Sequence, residues 1–256
     1  MKPTKVLVLL SGGQDSTTCL FWARDKWPDA ELHALSADYG QRHIAELDAA
    51  EAVAKLAGVK TWRVVDLSSA FGAGSGALVN HTEELKGDGG IPDAAMPQGL
   101  PTSFVPGRNL VLLAAAGARA GELGCQHVVT GICQTDYSGY PDCREEFREA
   151  MQAAITLAMP SELRPVFVHA PLMDMSKAET CAMMYSIAGG KADHPAWMAL
   201  AVSVTCYNGS IPGCGTCPSC NLRLAGFVGA GLVDPQLDPA MEPVRSAFKA
   251  PAKDAE

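Results

Sequence analysis

Val6-Leu7-Val8-Leu9-Leu10 places five apolar residues in a row. That is the pattern of a strand covered on both faces, as in parallel sheets. Asp15 to about Lys26 reads as a helix that Trp27-Pro28 ends, and Glu31 to Ala37 as a second strand. His43 to about Leu56 is an alanine-rich amphipathic helix stopped at Gly58, and Thr61 to Val65 reads as a third strand. Strands that alternate with helices predict an α/β fold with a doubly wound, mostly parallel sheet.

The rhythm breaks over Ser68 to Phe104, which is rich in Gly, Pro, Ser and Asp. A loop this long in a compact domain is usually functional or mobile. Regular patterning resumes with a helix from about Asn109 to Glu122 and a strand from Gln126 to Thr130. Gly131 to Arg144, GICQTDYSGYPDCR, is a second irregular loop at the C-terminal end of that strand. A helix over Glu145 to Ala158, a strand over Val166 to Val168 and a helix over Lys177 to Ile187 follow. The pattern assigns no element to residues 188–205. From Cys206 the texture turns to Cys, Gly and Pro, and a short helix and a polar tail close the chain. The expected organisation is a nucleotide-binding domain over 1–190, a metal-binding segment over 191–235 and a tail over 236–256.

The chain has 256 residues, 48% hydrophobic and 19% charged, enough apolar material for a substantial core. The net charge is −8 and no strongly basic stretch occurs. A nucleic-acid binder carries a basic footprint, so a nucleic-acid partner is not expected. No run of about 18 apolar residues occurs, so no membrane span is expected either. MKPTKVLVLLSGG does not read as a secretory signal, and the expectation is a cytoplasmic protein. Nine cysteines in such a chain point to metal ligands or buried thiols before disulfides.

Between the first strand and the first helix stands LLSGGQDSTTCL, Leu9 to Leu20. Gly12 and Gly13 let the backbone come close to an anion. Amides at the helix start and the hydroxyls of Ser11, Ser16, Thr17 and Thr18 can donate to phosphate oxygens. An ordinary strand-to-helix turn, capped by Asp15 or Ser16, is the competing reading. The GxxxxGK[ST] loop is excluded because the lysine is missing, and GxGxxG because the spacing differs. SGGQDSTT resembles the SGGxDS loop of the N-type ATP pyrophosphatases. The resemblance implies a loop that grips the leaving pyrophosphate while ATP adenylates a carbonyl or carboxyl oxygen.

Cys206, Cys214, Cys217 and Cys220 form a second constellation, ending in a CxxCxxC run. Four thiolates without histidine suit a closed tetrahedral zinc site, structural because no position stays open. An iron–sulfur cluster and unconnected core thiols are the alternatives. Cys19, Cys125, Cys133, Cys143 and Cys181 stand singly; Cys133 and Cys143 lie near the expected site as weak candidates.

ADYGQRH (37–43), VPGRNL (105–110), TDYSGYPDCR (135–144), PLMDMSKAET (171–180) and CGTCPSCNLR (214–223) join these. Together they resemble the 7-cyano-7-deazaguanine synthases of queuosine and deazapurine biosynthesis, from about residue 5 to 231. The resemblance implies an adenine nucleotide alpha-hydrolase-like fold and a ligase. ATP, with Mg2+, would convert 7-carboxy-7-deazaguanine and ammonia to the nitrile through an adenylate and an amide. It also implies a homodimer and one structural Zn2+ per chain. Leu10, Ser11, Gly12, Gly13, Gln14, Asp15, Ser16, Thr17, Thr18, Cys19 and Leu20 would form the ATP loop, with Asp15 also a magnesium contact. Asp38, Arg42, Arg108, Asn109, Asp136, Tyr137, Tyr140, Asp142, Arg144 and Lys177 are candidate substrate or nucleotide contacts. For several a plainer role competes. Arg42 can be a solvated residue opening a helix, Asn109 and Asp142 helix caps, and Lys177 a surface charge. Another adenylating enzyme, such as a tRNA thiolase, and a zinc-stabilised ATP-binding module are the alternatives in function.

Overall fold

The computed structural model describes residues 3–40, 45–71, 104–134 and 140–248. Five strands run parallel: β1 (Lys5–Leu9), β2 (Glu31–Asp38), β3 (Thr61–Asp66), β4 (His127–Val129) and β5 (Phe167–His169). Their order in the sheet is β3-β2-β1-β4-β5, so β1 is the central strand. Val6 pairs with Leu32 on one side and with His127 on the other. The fold is the doubly wound α/β architecture that the alternation of elements predicts.

The apolar run of β1 is divided between two cores because successive side chains point to opposite faces. Val6 and Val8 join a core with α1 (Gln14–Lys26), α2 (Ala45–Leu56), α5 (Lys177–Ile187) and α6 (Pro195–Val202). Leu7 joins the other, with α3 (Arg108–Leu123) and α4 (Glu145–Ala158). All three β1 side chains are fully buried. α3 and α4 approach so closely that a Cβ at Gly117 would lie 2.9 Å from Ile155 Cγ1. Two further helices, α7 (Pro218–Gly229), which begins within the cysteine run and contains Cys220, and α8 (Glu242–Ala247), stand where the sequence pattern predicts one short helix.

α4 and α5 span the predicted residues. α5 opens with a capping box: Ser176 accepts from the Glu179 amide, and the Glu179 carboxylate accepts from the Ser176 amide. Other boundaries shift by one or two residues, and β4 is shorter than expected. α6 lies in the stretch to which the sequence assigns no element. Six of its eight residues, Ala196, Trp197 and Ala199 to Val202, are buried. A short run that is apolar on every side has no periodicity to reveal a helix. Of the first long loop, Ser68–Ala70 forms a single 3-10 turn, and residues 72–103 lie outside the described residues.

Candidate functional site

β1 and β4 are neighbours in the sheet although β2 and β3 come between them in the chain. The winding direction reverses at this pair, and a crevice opens beyond the carboxyl ends of the two strands. A cavity of about 340 Å³ lies there. Its floor is the loop after β1, with Leu10, Ser11, Gly13, Gln14, Asp15 and Ser16. Thr130 to Cys133 after β4 and Arg108 and Asn109 of α3 form one side. Tyr39, Glu46, Tyr140 and Cys143 line it as well. The remaining wall is Val204, Thr205, Tyr207 and Ser219 from the cysteine-rich stretch.

The glycine loop is held by its own small side chains. Ser11 Oγ and Ser16 Oγ share a 3.0 Å hydrogen bond, Ser16 Oγ donates to Gly13 O at 3.1 Å, and the Gly13 amide donates to Ser11 Oγ at 3.3 Å. Gly13 is the N-cap of α1 and no side chain caps the helix, contrary to the reading of Asp15 or Ser16 as a cap. The helical ladder starts with Thr17 N–H to Gly13 O, so the amides of Gln14, Asp15 and Ser16 precede it. These amides and the positive end of α1 form an anion cradle. Gly12 makes the close packing possible. Its φ is +86°, and a Cβ there would lie 2.2 Å from Glu46 O and 2.7 Å from Ala50 N.

Lys177 brings a cation to the start of α1. Its side chain is 10% exposed and crosses from α5 to place Nζ 2.8 and 2.7 Å from the Asp15 oxygens. It is therefore a largely buried ion-pair partner of Asp15 and not a surface charge. The Lys177 stem lies against α7, where a Cβ at Gly226 would come 2.8 Å from its Cγ.

The other predicted residues divide clearly. Asp142 is buried and caps α3, its Oδ2 accepting from the Asn109 amide at 3.0 Å. It does not cap the helix that follows it, whose N-cap is Arg144. Asp142 Oδ1 has no hydrogen-bond partner. Asn109 Nδ2 donates to Cys143 Sγ at 3.3 Å. Asp38 ends β2, accepts from the Gly40 amide at 3.0 Å, and does not line the cavity. Arg144 is exposed. Thr17, Thr18, Cys19 and Leu20 are buried behind the loop; Thr18 Oγ1 donates to Gln14 O at 3.0 Å. Arg42, Asp136 and Tyr137 lie outside the described residues.

Sequence reasoning missed Tyr39, Glu46, Thr130, Thr205, Tyr207 and Ser219. Tyr39 sits inside ADYGQRH, and Thr205 and Tyr207 flank Cys206, so proximity to motifs was a usable signal. Glu46 gives none, since an acid in the first turn of an amphipathic helix reads as solvated. In the fold, burial pushes its carboxyl up to about 7, and Arg108 pulls it back only in part. Burial likewise pushes the Tyr39 phenol up.

The four cysteine sulfurs lie within 4.8 Å of one another. Cys214 and Cys220 are 3.9 Å apart, far beyond a disulfide bond. Tetrahedral zinc–thiolate bonds of about 2.3 Å would separate sulfurs by roughly 3.8 Å. Amides of Asn208 and Cys214 donate to Cys206 Sγ, and those of Cys217 and Cys220 to Cys214 Sγ and Cys217 Sγ, each at 3.4 Å. Such donors stabilise thiolates. Hydrogen bonds from the Thr216 hydroxyl, the Thr216 amide and the Cys217 amide draw the Cys214 thiol down to about 5. The donor set and its spacing fit a bound metal ion.

Fold and site thus define a doubly wound α/β protein with a glycine loop at its switch point and, beside the cavity wall, a four-cysteine cluster that fits a metal ion. Residues 5–231 match the model of the family described as queuosine biosynthesis protein QueC, and the chain belongs to that family. A 7-cyano-7-deazaguanine synthase of Laribacter hongkongensis is 47% identical over 92% of this chain and 95% of its own. That of Bacillus subtilis is 40% identical over 89% of this chain and 95% of its own. A solved U34-tRNA thiolase NcsA from Methanococcus maripaludis, with its 4Fe–4S cluster, aligns with a TM-score of 0.45 at 13% identity. That alignment covers 97% of this chain and 72% of the thiolase, a likeness too distant to carry any inference.

Proposed function

We propose that this chain is a 7-cyano-7-deazaguanine synthase, a ligase that forms the nitrile from 7-carboxy-7-deazaguanine, ammonia and ATP. Family membership with curated relatives at 40–47% identity is the observation that carries the reading. A carboxylate oxygen leaves poorly at neutral pH. Adenylation turns it into AMP, ammonia displaces AMP to give the amide, and a second activation removes the amide oxygen. ATP lies with its phosphates on residues 10–20, where the free amides at the start of α1 and the Lys177 ammonium meet the charge of the departing pyrophosphate. Arg108, Asn109 and Tyr140 bind substrate or nucleotide from the opposite wall. Asp142 acts through Asn109, whose amide it holds. The residues outside the description, Arg42, Asp136 and Tyr137, together with Asp38 and Arg144, complete the candidate contacts.

Asp15 is the carboxylate at the loop that a magnesium ion accompanying ATP would use. Cys206, Cys214, Cys217 and Cys220 hold one zinc ion, which supplies no chemistry to the reaction and fixes the wall between Thr205 and Ser219. Residues 1–190 bind the nucleotide, 191–235 carry the metal and 236–256 are a tail. Among the described residues no helix is long and apolar enough to cross a membrane, in keeping with a cytoplasmic enzyme acting on small molecules. A homodimer would give a light-scattering mass of twice 26.8 kDa.

Incubation of the protein with ATP, ammonium and 7-carboxy-7-deazaguanine tests the reading. Mass spectrometry is expected to find the nitrile, with more than one AMP released per nitrile. Absence of both nitrile and substrate-dependent ATP cleavage would refute it.

A further inference from the structure

Two carboxylates line the cavity among the described residues, Asp15 and Glu46. Asp15 is committed through both oxygens to Lys177 Nζ. Glu46 is placed differently. It sits in the first turn of α2, whose backbone rests on the phosphate loop, with Glu46 O 2.2 Å from where a Gly12 Cβ would stand. The position of Glu46 is therefore tied to the position of the loop. Its side chain is half-buried and shares the cavity with the loop.

The charged and titratable groups around it come from every wall. Arg108 of α3 and the Tyr39 phenol after β2 line the same cavity, and the Arg108 charge favours the carboxylate. Tyr140, Asp142 and Cys143 stand on the far side of Arg108 and claim part of its charge. Asp15 lines the cavity on the α1 side, and Lys177 of α5 pairs with it from behind. Burial outweighs Arg108, and the carboxyl rises to about 7. A base with that affinity accepts a proton and returns it to water at neutral pH, which is the range where general bases work best.

The reaction needs such a group. When ammonia attacks the acyl adenylate, a C–N bond forms, the C–O bond to AMP breaks, and AMP leaves with the electron pair. The nitrogen must then shed one proton to become a neutral amide. The amide oxygen next attacks the α-phosphorus of a second ATP, and pyrophosphate departs with the electrons of the broken P–O bond. Loss of AMP from that adduct requires the nitrogen to shed its two remaining protons, whose electron pairs become the second and third C–N bonds. Three protons thus leave one nitrogen. Carbon stays at the carboxyl oxidation level, so no oxidant is involved.

We propose that Glu46 is the proton acceptor of this cavity and takes the protons from the substrate nitrogen in both the amide-forming and the nitrile-forming steps. The proposal rests on the assigned 7-cyano-7-deazaguanine synthase activity. Glu46→Gln keeps the size and polarity of the side chain and cannot accept a proton. It is expected to lower kcat for amide-to-nitrile conversion about 100- to 1,000-fold. The KM for ATP should stay within about 3-fold of wild type, and the acidic limb of the kcat–pH profile near 7 should vanish. Glu46→Asp should retain that limb.

A wild-type protein that makes no nitrile would overturn the assigned activity itself. An active wild type together with a folded Glu46→Gln variant of unchanged kcat and intact limb would overturn the role of Glu46 alone. Thermal unfolding reports whether the Gln variant folds. If it does not, the wild-type profile for amide-to-nitrile conversion decides, because a profile without a limb near 7 excludes the proposal.

Discussion

Gly12 meets two demands that no other residue meets together, a positive φ and a neighbouring helix backbone in contact with its Cα. Lys177 acts at longer range, since it pairs with Asp15 at the start of α1 and, in the proposed reading, lends its charge to the phosphate loop. Replacing it by Met leaves Asp15 unpaired beside the phosphate loop. Lys177→Met is expected to lower kcat/KM for ATP about 10- to 100-fold, the scale of one lost charge-assisted hydrogen bond, as steady-state kinetics would show. Away from the cavity, His127 Nδ1 and His169 Nε2 are 2.8 Å apart under Trp22 and Trp27. Burial first, then His127, drive the His169 pKa down to about 4 from 6.5. The unfolded chain therefore binds the proton more readily. The resulting stability is present above about pH 6.5 and is lost as the pH falls toward 4. At full burial the shift is worth about 3 kcal/mol, and partial exposure reduces this to about 1–2 kcal/mol. Urea titrations at pH 7 and pH 5 should show a smaller difference for His169→Gln than for the wild type.

At the scale of elements, α6 and α7 join the cysteine-rich stretch to the sheet. The Arg223 guanidinium of α7 donates to both Asp234 oxygens at 2.6 and 2.8 Å, and reaches Ser203 Oγ and Leu200 O, both at 2.9 Å. Both partners of this pair are buried. Removing one leaves an uncompensated buried charge. Asp234→Ala should cost about 3–5 kcal/mol, read as a lower urea midpoint at unchanged slope. The sequence shows α5 by its pattern over Lys177 to Ile187 and α2 by its alanine-rich apolar stripe. α6 stays hidden, because its position as a buried helix depends on α1, α2 and α5 covering it from all sides.

For the molecule as a whole, the metal site and the cavity are one structure. Thr205 and Tyr207 adjoin Cys206, and Ser219 adjoins Cys220, so wall and ligands move together. Stripping the metal with a chelator should abolish nitrile formation while most of the circular-dichroism signal from the sheet and its helices remains. Adding zinc back should restore activity. Nitrile formation by metal-free protein would show that the wall stands without it. The sequence alone determined the α/β class, the glycine turn between β1 and α1 and the grouping of the four cysteines, because periodicity and motif spacing are local and register in neighbouring residues. The family resemblance added the expected chemistry. Only the tertiary structure decided that Lys177 meets Asp15 across 162 positions, that Asp142 caps α3, and that Glu46, half-buried, shares a cavity with Arg108. Burial and charge pairing come from residues distant in the chain, and those forces set what a side chain can do.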